Sequence, residues 1–572
     1  MSDAGLFIMN YQAGSVYEVE CGVRDNYDST RAMLTNSLFS DFLKENGLHI
    51  HKGESTRDII CIKFDYGSRS YEQEKNHIAR TIKDAEEQLA AETNENLRRR
   101  TEVKLERLAE LAVAVEQNKD KFIKISANDL RTKFYEEGVT IHYPRESIHY
   151  QMLYRTPGKA KKGECMFVRD SLYKKARKFL YMGIKLPKEN AQIVEIGAYS
   201  SLITSAIEER LRIEPEQILV IKDVDAFFTT NVLSVEIDEQ KHCVAKHKEN
   251  YKLKNTLFDG QALIDVSIFP SWASGYVLLR HHFCKMAAFV SRIQDYFRDT
   301  FGDEYETKTV KDMWGNDHLA KDIRLITTEN AMKWSKFPGI TFEYWSEWVR
   351  TNGCNFGIVK TAHQSKLGEY QRMSYQMVNA LDIETIPFVM GITLSYIERL
   401  KTDDTAFLDF LRKNQNFSND YEPLIKICEK NPNFLNCDYF RERKRKILHG
   451  YTNKVKFGKV LQNADNLVIV GSPYAMLMAA AGLDPFDDPT FKQEEGAMQC
   501  WTSRFRSGEY LAEFRSPLNS RNNLGLLHNT RSLEFDLYFP FGKQIIAINM
   551  IGTEVQDRNN GLTYWVSVQK CA

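Results

Sequence analysis

The sequence has no excess of charge: lysine plus arginine and aspartate plus glutamate each number 77 in 572 residues, a formal net charge of zero. Net charge therefore gives no support to nucleic-acid binding, and any such surface must come from local clustering. The ten cysteines include no Cys-x-x-Cys pair. That excludes the usual paired zinc spacing, and in a long chain it suits a reducing compartment better than a disulfide framework. Long apolar runs are missing too. The longest, Tyr474-Ala-Met-Leu-Met-Ala-Ala-Ala-Gly-Leu483, falls far short of the roughly 18 residues that span a bilayer. The opening Met-Ser-Asp-Ala-Gly lacks the basic start and cleavage site of a signal peptide. These absences lead to the expectation of a cytoplasmic protein with no membrane partner. With 43% hydrophobic and 12% aromatic residues, the chain can fill about three to four cores of ~150 residues each.

Along the chain the composition changes several times. Residues 1–70 read as a mixed region, with Ile59-Ile-Cys-Ile-Lys-Phe64 as a strand and helical spacing from Ser29 to Glu45. Residues 71–120 contain no Pro or Gly; Ile78, Ile82, Ala85 and Leu89, then Leu105, Leu108, Ala112 and Val115, recur at steps of three and four. Two such stripes around the polar Glu92-Thr-Asn-Glu-Asn96 predict a helical hairpin arm of coiled-coil type, with two surface helices as the plainer reading. Arg98-Arg-Arg100 reads as a solvated face. Residues 121–184 form a basic linker or helical region, with Arg155-Thr-Pro-Gly-Lys-Ala-Lys-Lys-Gly163 and Lys174-Lys-Ala-Arg-Lys178.

Residues 185–365 are strand-rich, beginning with Gln192-Ile-Val-Glu-Ile196 and Gln217-Ile-Leu-Val-Ile221. Residues 366–455 are helical, from a face of Met373, Met377, Val378 and Leu381 to the basic run Arg441-Glu-Arg-Lys-Arg-Lys446. Strands return from 456, at Leu467-Val-Ile-Val470, Tyr510 to Phe514 and Ile545 to Ile548.

Three local patterns bear on chemistry. Ile218-Leu-Val-Ile-Lys-Asp223-Val-Asp225 ends a strand in Asp-x-Asp. Carboxylates at alternate strand positions can share a divalent ion, as in metal-dependent nucleotide-sugar glycosyltransferases; the plainer reading is a turn. His242-Cys243 with His247, and His281-His282 with Cys284, hold zinc-type ligands without the paired spacing of a structural site, so they read as core or surface side chains. Leu467-Val-Ile-Val-Gly471-Ser472-Pro473 lacks the P-loop lysine. It reads as a strand, a Ser N-cap and Pro at the first helical position.

Five further segments carry a resemblance. Thr256-Leu-Phe-Asp259-Gly260-Gln261 is an Asp-Gly turn. Gly275-Tyr-Val-Leu-Leu-Arg-His-His-Phe-Cys-Lys285 and Asp322-Ile-Arg-Leu-Ile-Thr-Thr-Glu-Asn-Ala-Met-Lys333-Trp334 each lead from a strand to a lysine. Tyr510-Leu-Ala-Glu-Phe-Arg515-Ser-Pro517 is a strand with an Arg-x-Pro turn, and Lys543 to Gly561 is a strand followed by Asn559-Asn560-Gly561. In this order they resemble the double-psi β-barrel RNA polymerase superfamily, which includes the β′-like subunits and the single-chain phage-type and eukaryotic silencing-type enzymes.

The resemblance implies an α+β fold in which two double-psi β-barrel-like domains are joined by a helical connector, after an N-terminal helical region bearing the hairpin. The domains would be 185–365 and 456–572, with 366–455 between them. It also implies nucleoside triphosphates and nucleic acid (RNA and/or DNA) as partners, with Mg2+ as cofactor. Lys285 and Lys333 would be the catalytic cations, and Asp259, Arg515, Asn559 and Asn560 would contact nucleotide or nucleic acid. The departure is at the metal. In the family an Asp-x-Asp-x-Asp cluster follows, whereas here no Asp or Glu follows Asp557, and Thr563, Trp565 and Ser567 stand near the expected positions. Neutral hydroxyls do not replace the carboxylates that magnesium requires.

The reading is thus of a truncated second barrel. The chain would be a fragment or subunit of a polymerase-like, nucleotidyl-transferring protein of phage or mobile-element type. It would be inactive alone unless another polypeptide supplies the acids. The rivals are the glycosyltransferase built on Asp223 and Asp225, and a non-catalytic nucleic-acid-binding or assembly protein.

Overall fold

A computed structural model describes the chain apart from residues 1–4, 65–69, 93, 123, 156–164, 186–191, 369, 373–381, 417–418, 493–496, 515–523, 550–564 and 571–572. It divides into two compact units. One comprises Met1–Arg210, Arg280–Cys284 and Glu347–Val359; the other comprises Leu211–Leu279, Lys285–Ser346 and Lys360–Ala572.

The first unit is built on a six-stranded sheet of β1 (Leu6–Gln12), β2 (Ser29–Leu34), β3 (Ser55–Lys63), β4 (Val139–Tyr143), β5 (Glu146–Tyr154) and β6 (Cys165–Arg169), in the order β2-β1-β3-β6-β5-β4. β3 is apolar without a break because both its faces are covered. Ile59 and Cys61 join one buried cluster, Ile60 and Ile62 another, as period-2 alternation in a central strand dictates. Residues 1–70 and 121–184, separate in the sequence reading, therefore share one sheet.

Ser29 to Glu45 departs from the helix read there: it is β2 followed by the helix Leu38–Glu45. The Ser37 hydroxyl accepts from Ser40 N–H at 3.1 Å and Ser40 Oγ accepts from Ser37 N–H at 2.8 Å. This capping box starts the helix late and leaves β2 to pair with β1. Gln192 to Ile196, read as a strand, lies in the helix Gln192–Ser200; a short apolar run does not distinguish the two.

Between β3 and β4 stand α1 (Tyr71–Ala91) and α2 (Glu95–Gln117), packed along each other. Ser70 caps α1 through a box with Gln73, and Asn94 caps α2. Ile78 and Ala85 of one expected stripe and Val115 of the other are buried. Arg98 turns back to the end of α1, donating to Leu89 O at 3.4 Å and Glu92 O at 3.2 Å, where a cation meets the negative end of the helix.

In the second unit the upstream strands are β7 (Ile218–Ile221), the long pair β8 (Asp225–Ile237) and β9 (Cys243–Thr256), β10 (Gln261–Asp265), β11 (Cys284–Ser291) and β12 (Leu325–Thr328). β10 lies between β11, which is parallel to it, and β12, which is antiparallel; β12 pairs in turn with β7 in parallel. Helices α3 (Ile386–Thr402), α4 (Asp404–Asn414), α5 (Tyr421–Lys430) and α6 (Asp438–Lys456) follow around one buried cluster. Two cations of the basic run in α6 are engaged within this bundle. Arg443 Nε donates to Asp420 at 2.7 Å and Lys444 Nζ to Asp404 at 2.6 Å. Met373, Met377, Val378 and Leu381 lie outside the described residues.

Downstream come β13 (Leu461–Gly471), α7 (Pro473–Ala480), β14 (Met498–Trp501), β15 (Tyr510–Phe514), β16 (Leu524–Asn529), β17 (Ile545–Ile548) and β18 (Trp565–Lys570). Their pairings run β13-β17-β14-β16-β15-β18 and return from β18 to β13. This differs from the incomplete second barrel read from the sequence: a ring of six strands closes through a strand beyond Gly561. The described pairings of the upstream sheet run from edge to edge without closing.

Alternation explains the apolar runs here as well. Leu467, Ile469, Ile546 and Ile548 fill one cluster with Cys500, Leu511 and Leu527. Val468, Val470, Ile545 and Ala547 join a second cluster shared with Leu219, Phe258, Leu263, Phe289 and Ile326 of the upstream strands. The ring and the upstream sheet are thus welded by a common core. No described helix is long and apolar enough to cross a membrane.

Candidate functional site

Strand directions bring the upstream candidates to one end of the sheet. The Asp259–Gly260 turn precedes β10, with Gly260 in the left-handed region at φ +70°. Gln261 lies opposite Ala287 of the parallel β11, and Ala287 N–H donates to Gly260 O at 2.9 Å. Lys285, two residues earlier on β11, is therefore at the end where the turn lies. β12 runs the other way, with Thr327 opposite Ala262, so it finishes at this same end and continues through Glu329 and Asn330 to Lys333, which opens a short 3-10 turn. Asp259, Lys285 and Lys333 are each half-buried.

The residue that ties these strand ends together is Asp223, just past β7. Its Oδ1 accepts from Val224 N–H at 2.9 Å and Phe258 N–H at 3.0 Å. Its Oδ2 accepts from Asn330 Nδ2 at 2.9 Å and Thr328 Oγ1 at 3.2 Å, while its own N–H donates to Glu329 at 2.7 Å. Burial pushes its carboxyl up to about 6 against these bonds. Asp225 is engaged elsewhere, by Lys254 Nζ at 3.0 Å and Thr256 Oγ1 at 3.1 Å. The two carboxylates thus serve separate partner sets, an arrangement that suits a turn clamp better than a shared ion.

A second tie joins this end to the ring. The Gln261 side chain, 5% exposed, donates from Nε2 to Gly471 O at 3.0 Å and accepts from Gly471 N–H at 2.9 Å. It pairs with the chain as a strand neighbour would. Gly471 lies opposite Ile548, and Ser472 N–H donates to Ile548 O at 3.0 Å. The ends of β13 and β17 are therefore held beside the Asp259–Gly260 turn. Ser472 departs from its expected role: it sits at φ +37° and makes no side-chain cap to α7. Arg515, Asn559 and Asn560 lie outside the described residues.

Within the ring, Asn529 Nδ2 donates to Phe505 O at 3.0 Å and Thr502 O at 3.1 Å, and its Oδ1 accepts from Thr502 N–H at 2.9 Å. Arg504 Nε donates to the buried Asp465 at 3.0 Å. Sequence reasoning missed Gln261 and Asn529; a lone amide at a strand end has no spacing to flag it. In the first unit His281 and His282 are buried, and burial brings the first down to about 4 and holds the second well below the usual imidazole range. Their Nε2–H groups donate to Gly353 O at 3.2 Å and Phe179 O at 2.9 Å. Among the described residues no group of three or more His, Cys, Asp or Glu is placed to hold a metal ion.

No protein-family model matches the sequence, and no curated protein matches it. Among solved structures, the RNA dependent RNA polymerase QDE-1 from Thielavia terrestris is similar over 100% of this chain, with a TM-score of 0.52 at 10% sequence identity. The likeness covers 54% of that protein, so the chain spans about half its length. The two share an RNA-dependent RNA polymerase-like α+β fold.

Proposed function

We propose that the chain is the nucleotide- and nucleic-acid-binding portion of a polymerase-like protein, with double-psi architecture in the closed ring. One observation carries this. The Asp259 turn, Lys285 and the segment leading to Lys333 end together, and Gln261 fastens that end to β13, beside which β17 ends. Lys285 and Lys333 neutralise triphosphate charge from the upstream side. Asp259, Arg515 and the two asparagines position the nucleotide or the product strand. The described residues do not fit the magnesium ion that the resemblance implies, so the proposal rests on the cations alone. The separate engagement of Asp223 and Asp225 supports the polymerase-like reading over the glycosyltransferase one.

Equilibrium titration of GTP and of single-stranded RNA tests it. Lys285→Ala combined with Lys333→Ala is expected to weaken GTP at least tenfold, about 1.4 kcal/mol or more. It is also expected to flatten the salt dependence of RNA binding. Unchanged GTP affinity in a variant with the wild-type melting temperature overturns the assignment of the lysines. RNA binding without GTP binding shifts the reading to the non-catalytic alternative.

A further inference from the structure

Trp314 stands at the tip of a short hairpin formed by Thr309–Lys311 and Asp317–Leu319. The tip is fixed by one buried carboxylate. Asp312 Oδ1 accepts from Trp314 N–H at 2.9 Å and Asn316 N–H at 2.8 Å, and its Oδ2 accepts from Asn316 Nδ2 at 2.9 Å and His318 Nε2 at 3.1 Å. These bonds set the loop without help from the Trp314 side chain. Met313 N–H donates to Val220 O at 2.9 Å, which docks the tip on β7. Val220 lies opposite Thr327 of β12, the strand that runs on toward Lys333 and Trp334.

The indole is as constrained as its loop. It stacks on Phe342, with ring centres 5.3 Å apart and planes at 21°, and on Trp334, at 6.1 Å and 24°. Phe342 and Trp334 are themselves 6.4 Å apart. Rings on opposite faces of a third are at least about 7 Å apart, twice a contact distance of about 3.5 Å, so both lie on one face of Trp314. Trp345 backs Phe342 at 5.8 Å and 25°, and Trp334 and Trp345 are buried. Trp314 itself is 41% exposed. An aromatic row thus runs outward from the core and ends on a ring whose second face is in water, held in one orientation before any ligand arrives.

We infer that this open face is a stacking site for one unpaired nucleobase, carried by a single strand or by a free nucleotide. The inference rests on the reading above, that the chain binds nucleotides and nucleic acid. Size, shape and charge select a base. The exposed share of a tryptophan of about 250 Å² is roughly 100 Å², the scale of one base and about an eighth of what a protein partner buries per side. Gly315, Asn316 and Asp317 beside it are exposed and polar, so the apolar surface does not continue along the loop. A flat π face is what every base offers in return. Lys333 adjoins Trp334 in the chain and brings a cation to the same row, where the phosphate of a stacked base requires one. Both acids of the tip are already engaged, Asp312 by its donors and Asp317 by Lys311 at 3.0 Å.

Equilibrium binding of the full chain to four probes tests it: a single-stranded RNA of about 12 nucleotides, within the span such sites cover, a strand of equal length lacking its bases, GTP, and inorganic triphosphate. Trp314→Ala should weaken RNA, GTP or both at least tenfold, in line with the loss of one stacked base. It should leave the baseless strand and triphosphate unchanged. Which of the two base-bearing probes responds assigns the source of the base. Trp314→Leu, which keeps apolar bulk but no ring face, should behave alike and decides the matter where the alanine variant does not fold; Trp314→Phe should recover part of the loss. Wild-type affinity for RNA and GTP in a folded alanine or leucine variant overturns the inference and leaves the roles of Lys285 and Lys333 standing. Equal losses on probes with and without bases overturn it too. A wild type that binds neither RNA nor GTP overturns this inference and the underlying reading together.

Discussion

Replacing Asp223 with asparagine removes a charge from a junction of four strand ends, and the effect should depend on pH in a calculable way. Burial raises the carboxyl from 3.8 to about 6 in the folded protein. A raised acid binds its proton more tightly when folded, so its contribution to stability is fully present below the unfolded value and is lost as pH rises through about 6. The rise from 3.8 to about 6 corresponds to roughly 3 kcal/mol in total, of which about 2 kcal/mol falls between pH 4.5 and 7.5.

Asparagine is neutral throughout. Its Oδ1 can keep the Val224 and Phe258 donors, and a flip of Asn330 provides an acceptor for the new amide. Wild-type stability minus variant stability, from urea titrations followed by tryptophan fluorescence, should therefore fall by about 2 kcal/mol over that interval. Asp223→Ala also lacks a titrating group but strands two backbone N–H groups; it should cost about 2–5 kcal/mol beyond the asparagine variant, with the same fall across the interval. A wild-type-minus-asparagine difference that stays flat, or that rises with pH, would show that Asp223 is neither buried nor bonded in this way.

Gln261→Leu removes both bonds to Gly471 and leaves its N–H and carbonyl buried without their partner; a loss of about 2–4 kcal/mol is expected, read as a lower urea midpoint. Gly275→Ala should be as severe. The glycine sits at φ +71°, and a Cβ there would lie 2.4 Å from Phe541 O and 2.5 Å from Ile545 Cγ1. Expression with a sharply lowered melting temperature, or in insoluble form, is the outcome that checks it.

The parts of the fold legible in the sequence were those in which one short-range rule dominates. Ile59 to Ile62, Leu467 to Val470 and Ile545 to Ile548 are apolar at every position because both faces are buried, and all three are strands. The Asp259–Gly260 turn showed itself through its glycine. What escaped depends on partners distant in the chain. Ser29 to Leu34 has helical spacing, yet it is a strand because β1 lies beside it. Nothing local marks Asp223 as the acceptor for Phe258, 35 residues on, or Asn330, 107 residues on. An Asp-x-Asp at a strand end looks alike whether it gathers an ion or main-chain donors, and only the identity of the distant donors separates the two.

The junction also bears on how a chain with no net charge would offer the proposed cationic site. Position here is set by hydrogen bonds rather than by opposing charges. Gln261 alone touches four strands: it begins β10, lies opposite Ala287 of β11, accepts from Thr327 Oγ1 of β12 at 3.1 Å through its carbonyl, and clamps the end of β13 through its side chain. Amide-to-main-chain bonds of this kind are directional and add no charge, so they hold Lys285 and the segment before Lys333 in place without supplying a carboxylate that would compete with phosphate for them. Of the acids here, Asp223 has both its oxygens committed to neutral donors, and Glu329 accepts from the Asp223 N–H. The proposed binding role and the stability of the junction are therefore separable. Loosening the clamp at Gln261 should weaken GTP binding while the lysines stay chemically intact, and removing the lysines should leave the melting temperature where it is.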